Sequence, residues 1–192
     1  RSSAVSERPA IDTGALPDAG ASADTGSTEL RSGAITPKPQ IYSRAQWGAD
    51  ESMRDASALH YYEVHAGFVH HTVNANDYTR AEVPGIIRSI YAFHTRSRGW
   101  SDIGYNYLID RFGRIWEGRY GGVDRPVVGA HTLNYNDYAF AASAIGNFEL
   151  TEPTSAMTDA FSRLFAWKLA LHGVNAASTS QVVGSGTFQA IN

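Results

Sequence analysis

The chain has no cysteine, so it carries no disulfide framework, and any metal it holds must be bound by histidine or carboxylate side chains. No stretch is long and apolar enough to span a bilayer, and none has the layout of a signal peptide. The first residue is Arg1 rather than Met, which leaves room for a targeting segment ahead of it. With a net charge of -3 and no basic run or stripe, nucleic acid is excluded as the main partner. Residues 1–40 contain no Phe, Tyr or Trp, yet hold four of the seven prolines. Ser, Ala, Asp, Gly and Thr fill the rest, too little apolar surface to offset the entropy of ordering, so this segment is expected to be a disordered linker.

What remains, residues 41–192, is long enough for one full core and has no internal repeat. Trp47 in Ile41–Gly48 is expected to seal one edge of that core. A short apolar strand is predicted over 67–73 and a helix over 80–98. The helix rests on Val83, Ile86, Ile87, Ile90 and Phe93 at three- and four-residue spacing, with Gly99 as its stop. Pro84 is compatible only with its first turn. Tyr105–Glu117 has the pattern of a hairpin turning at 111–113. Residues 118–141 are Gly-rich and irregular, a loop of the kind that shapes a cleft. A buried strand is expected at 142–148 and a second helix from Pro153 to His172. That helix has Met157, Phe161, Leu164, Phe165 and Leu171 on its core face. Residues 180–192 return to extended structure. The order predicts an α/β fold, a central mixed β-sheet flanked by helices in a single domain.

Polar groups stand out against this frame. In Phe68-Val69-His70-His71-Thr72, neighbouring residues of a strand point to opposite faces, so His70 and His71 cannot both bind one metal ion. A His-His pair on a strand is as a rule structural, and only its company argues otherwise. Tyr105 follows Asp102-Ile103-Gly104 at the mouth of the predicted hairpin, where a phenol can donate to a developing oxyanion or merely pack. His131, in Gly129-Ala130-His131-Thr132, lies on the Gly-rich loop. Arg119 could clamp a substrate carboxylate through its fork of donors, or pair with Glu117.

Five runs, SRAQWGA (43–49), FVHHT (68–72), WSDIGYNYLIDRFGRIWEGR (100–119), GAHTLNYN (129–136) and AIGNFE (144–149), carry a resemblance. Together they resemble the zinc-dependent N-acetylmuramoyl-L-alanine amidases of type 2 and the related peptidoglycan recognition proteins, in order and spacing. The GGVDRPVVGAHT stretch and the RLFAWKLALHGV helix are similar to secreted actinobacterial forms. The resemblance implies a mixed sheet with a groove along one face. It implies that His70 is a zinc ligand and that Tyr105 assists catalysis beside the metal. His71, Thr72, Trp100, Arg119, His131 and Asn136 would then line the muropeptide groove.

Members of that family continue with a Gly-His-Arg-Asp stretch and then Cys-Pro-Gly, which supply two further zinc ligands, whereas the last residues here are Phe188 to Asn192. The chain is therefore expected to be a fragment of a secreted, cell-envelope hydrolase, inactive by itself because its Zn2+ site is incomplete. Peptidoglycan is its expected partner and monomer its expected state. A non-catalytic peptidoglycan-binding module is the alternative, since family members without the cysteine bind muropeptides and do not cut them.

Overall fold

A computed structural model describes residues 36–149 and 151–192. Most of the expected linker lies outside the described residues. Its last five residues, 36–40, have no regular secondary structure. Lys38 Nζ there pairs with Asp124 at 2.7 Å and lies over the Trp167 ring.

Five strands form the central sheet: β1 (Ile41–Tyr42), β2 (Ala66–His71), β3 (Tyr107–Ile109), β4 (Ile115–Glu117) and β5 (Ala139–Ala144). They lie in the order β1-β4-β3-β5-β2, antiparallel between β3 and β4 and parallel elsewhere, the mixed sheet that the sequence predicts. Three helices flank it: α1 (Arg44–Trp47), α2 (Val83–Ala92) and α3 (Ser155–Leu171). A hairpin of β6 (Gln181–Val183) and β7 (Gly186–Phe188) follows, and Ile191 pairs in parallel with Gly67 at the outer edge of β2.

Strand alternation divides the sheet into two unlike faces. One carries Tyr107, Ile109, Ile115, Phe140, Ala142 and Ala144, all buried against Met157, Leu164 and Phe165 of α3. On the other, Leu108 and Trp116 pack with Trp47, Ile87, Ile90 and Tyr91 around α1 and α2. Trp47 is fully buried and its indole N–H donates to the Glu117 carbonyl at 2.7 Å, so it seals the core edge as expected. Beyond this packing the second face is left open where β2, β3 and β5 end.

Several boundaries differ from the sequence prediction. Regular α2 stops at Ala92 and the chain continues through a π turn, Phe93–Ser97, in which the Arg98 N–H reaches the Phe93 carbonyl. The buried stripe Val83, Ile87, Ile90 and Tyr91 continues at three- and four-residue spacing to His94, not to Phe93. Phe93, expected in the core, is 50% exposed, and His94 is buried instead. Gly99 ends the segment at φ +68°, where a side chain would be strained. Pro84 does lie in the first turn of α2. Pro153 stands before α3 rather than opening it. The N-cap is Thr154, whose hydroxyl accepts from the Met157 N–H. Leu171, at the frayed end of α3, is exposed, while Lys168 on the same helix is fully buried. The last sheet strand, predicted over 142–148, is Ala139–Ala144, closed off by Gly146 at φ +141°.

Residues 118–128 cross the surface between β4 and the His131 loop. Inward-pointing side chains hold them more than strand pairing does. Tyr61 and Tyr107 donate their hydroxyls to the carbonyls of Gly121 and Val123. Lys168 Nζ donates to the carbonyls of Val123 and Arg125, both at 2.8 Å. Asn106 spans from sheet to loop: its oxygen accepts from the Ala141 N–H and its nitrogen donates to the Val127 carbonyl. Burial lowers the Lys168 amine to about 7, and the nearby Asp124 carboxylate opposes that shift.

Candidate functional site

The open end of the second face gathers the polar side chains. His70 and His71 part as strand geometry requires. The His70 ring lies on the open face, 5.6 Å from the Tyr105 ring and 5.8 Å from that of His131 between centroids. His71 points through the sheet, where its Nδ1 accepts from the Phe148 N–H at 3.0 Å. There it borders an apolar hollow of about 580 Å³ with Val69, Pro153 and Phe161.

Tyr105 precedes β3 by two residues, in the irregular segment after Gly104 rather than on the strand. Gly104 has no room for a Cβ, which would meet the Ala130 carbonyl and the Trp100 ring. This close approach docks the 100–105 segment against the His131 loop. Burial pushes the Tyr105 phenol above its ordinary value, so it stays a protonated donor at neutral pH, and the neighbouring Ser143 hydroxyl opposes the shift. Ser143 is aligned on β5 between His70 of β2 and Leu108 of β3. It is fully buried and its hydroxyl has no partner of full hydrogen-bond geometry.

Thr132 lies between the two imidazoles, its Oγ1 3.2 Å from His70 Nε2 and 3.0 Å from His131 Nδ1. Asn136 shapes this loop: its side-chain oxygen accepts from the backbone N–H groups of His131 and Thr132. Burial, reinforced by His70, lowers His131 to about 3, and its Nε2 is sealed in without a partner. Burial also lowers His70. Both rings are therefore neutral at neutral pH.

A cavity of about 340 Å³ opens beside this cluster, between β2, the π turn and Trp100. Val73, Phe93 and Trp100 are its exposed apolar lining, Arg98 its cation. Val73 holds φ +60°, a costly conformation for a β-branched residue. His94 backs the cavity. Its Nδ1 accepts from the Gly104 N–H, its ring stacks at 4.6 Å on Trp100, and burial followed by Arg98 and Arg119 lowers it to about 4. Thr72 reaches the cavity, but its hydroxyl is engaged by the Gly146 N–H. Arg119 donates to the Ser101 hydroxyl at 2.6 Å and toward the Ile103 carbonyl, and among the described residues it has no carboxylate partner. Glu117 instead accepts from the backbone N–H of Arg44.

The sequence profile described as N-acetylmuramoyl-L-alanine amidase matches residues 60–189, more than half of the chain. The chain belongs to this amidase family. Peptidoglycan-recognition protein SC2 of Drosophila melanogaster is 34% identical over 120 residues, which are 62% of this chain and 62% of the fly protein. The chain thus spans less than two thirds of that relative. The human N-acetylmuramoyl-L-alanine amidase is 34% identical over 124 residues, covering 62% of this chain and 20% of the human one. Among solved structures, peptidoglycan recognition protein LE in complex with tracheal cytotoxin, a monomeric diaminopimelic acid-type peptidoglycan, superposes with a TM-score of 0.63. It is 31% identical, with 71% of this chain and 78% of that one covered. Drosophila recognition protein LB gives 0.62 at 29% identity, covering 72% and 78%.

The family implies a catalytic zinc, which takes three protein ligands and leaves a position for water. Among the described residues no group of three or more His, Asp or Glu side chains could hold a metal ion. Thr132 stands between His70, the ligand that the sequence resemblance implies, and His131. The described residues do not by themselves fit a catalytic zinc.

Sequence reasoning missed three members of the site. Ser143 was legible in principle, as the one hydroxyl in the apolar run Ala139–Ala144, in register with His70. Thr132 sat unremarked inside GAHT. His94 lies at helical spacing from Ile87, Ile90 and Tyr91, but a polar ring is not read as part of an apolar stripe.

Proposed function

We propose that this chain binds the muropeptide unit of peptidoglycan in the cavity between β2, the π turn and Trp100. The stem peptide lies against Val73, Phe93 and Trp100, with Arg98 and Arg119 available to its carboxylates. The Tyr105 phenol donates a hydrogen bond to the carbonyl that joins the lactyl group of N-acetylmuramic acid to L-alanine. The amidase reaction, hydrolysis of that bond, belongs to this site only when Zn2+ is held by ligands in addition to His70. A partner of this kind implies export to the cell envelope, and we infer that the protein acts there as a monomer.

The observation that carries the reading is the meeting of Tyr105, His94 and Trp100 on one cavity, with the His70 ring packed against that of Tyr105, in a chain of this family. Non-catalytic recognition is favoured for residues 1–192 by the lack of a three-ligand group among the described residues. The test is titration of a soluble muropeptide by calorimetry, with and without zinc, followed by chromatography for released stem peptide. Saturable binding with no release is expected. Failure of the folded chain to bind would end the recognition reading, and release of stem peptide would show that ligands beyond His70 are not required.

A further inference from the structure

Thr132 touches both imidazoles of the site, and a hydroxyl has only one hydrogen. When it donates to one ring nitrogen it can only accept from the other. When both rings donate to it, its own hydrogen needs another acceptor, and among the described residues Thr132 Oγ1 has no partner besides these two rings. If Thr132 accepts from His70 Nε2–H, its hydrogen goes to His131 Nδ1, and His131 carries its own hydrogen on Nε2. If Thr132 accepts from His131 Nδ1–H, it donates to His70 Nε2, and His70 carries its hydrogen on Nδ1. In either arrangement the two neutral rings hold the same tautomer. Of the mixed pairs, one leaves a ring nitrogen with no hydrogen to accept, and the other puts both ring hydrogens on Thr132 and turns its own hydrogen away from the bridge.

We propose that Thr132 is a positioning residue that holds His70 and His131 in matching tautomers and engages His70 by Nε2, so that Nδ1 is the nitrogen left free for a ligand. His70 Nδ1 has no partner among the described residues and is not sealed from solvent. The lock has a firm base. Asn136 ties down the backbone N–H groups on both sides of the bridge, and the His131 ring lies so close to Gly129 that a Cβ there would collide with it. An N–H donor of a ligand that takes the His70 Nδ1 lone pair therefore selects Nε2–H on His70. Through Thr132 it also selects Nε2–H on the buried His131. The state of an enclosed ring is thereby set from the open groove, with no backbone movement.

Long-range proton–nitrogen NMR of ¹⁵N-histidine-labelled chain at neutral pH reads each tautomer directly. The wild-type and Thr132→Ser proteins should show His70 and His131 in the same tautomer. Thr132→Val, which keeps the shape and removes the hydroxyl, should let the two rings differ, while the remaining histidine signals stay in place and report an intact fold. Muropeptide affinity should fall by about three- to tenfold in Thr132→Val, the worth of one hydrogen bond, and recover in Thr132→Ser. Opposite tautomers in the wild-type chain, or matched tautomers that persist in Thr132→Val, would overturn the lock. Because the tautomers are read without ligand, that result is independent of whether muropeptide binds.

Discussion

Where α3 covers the sheet, Ile115, Tyr107, Ile109, Phe140, Ala142 and Ala144 make an apolar strand surface, and Phe140, Phe165 and Leu164 fill the space between layers. Across the thickness of the same strands, the open face ends in His70, Ser143 and the Tyr105 phenol, with two buried polar atoms unpaired. A layer built for stability satisfies or excludes its polar groups. The opposite layer holds neutral rings and an unpartnered hydroxyl in place because its neighbours leave them nowhere to go. Adjacent residues of one strand, His70 and His71, belong to different layers, so two regions with opposite demands are one peptide bond apart.

If the two faces are independent, Phe165→Ala should cost about 3–5 kcal/mol of stability, the range for deleting a buried aromatic ring. Muropeptide affinity of the protein that stays folded should not change. Urea melts and a binding titration on one sample would test this, and a matching loss of affinity would join the faces. Acid should strike the open face instead. His94 and His131 stay neutral in the fold down to about 4 and about 3, whereas in the unfolded chain each protonates near ~6.5. Their contribution is complete above ~6.5 and is lost as pH falls from there, on the order of a few kcal/mol between the two rings. Melts of His94→Gln should show a shallower acid slope than wild type. His70→Ala should change stability by less than about 1 kcal/mol yet weaken muropeptide binding about tenfold, equivalent to ~1.4 kcal/mol. The smallest effect is expected at Ser143. Ser143→Ala removes a buried unpaired hydroxyl and should leave stability unchanged or raise it by up to about 1 kcal/mol. A clear loss there would mean that the hydroxyl supports the Tyr105 phenol.

The strands and helices that bury one face were legible because their periodicity is the direct imprint of burial: β2, the β3–β4 hairpin and both long helices fall where the pattern puts them, within a few residues. The errors are physical. His94 continues the buried stripe of Ile87, Ile90 and Tyr91 while Phe93 lies at its margin, but hydropathy favours the phenylalanine for the core, so the two exchange roles. Lys168 reads as a surface charge, and only the carbonyls of Val123 and Arg125 explain its burial. In the site, the opposed directions of His70 and His71 follow from strand geometry alone, and the cluster with Tyr105 and His131 was suggested by motifs. The Thr132 bridge joins residues 62 apart in sequence. No local pattern encodes a contact of that kind.

The loop over 118–128 leaves the body after Gly118 and Arg119, whose N–H groups still donate to the Asn106 and Tyr105 carbonyls. It is then held by Tyr61, Asn106, Tyr107 and Lys168 and by a β-bridge between Tyr61 and Val127. A segment hung on side-chain hooks can change length without shifting the register of any strand. It is thus a natural graft point: loops borrowed from relatives could be exchanged beyond Arg119 while the scaffold keeps its four side-chain anchors, and variants made this way would reshape the surface and leave the sheet beneath it untouched.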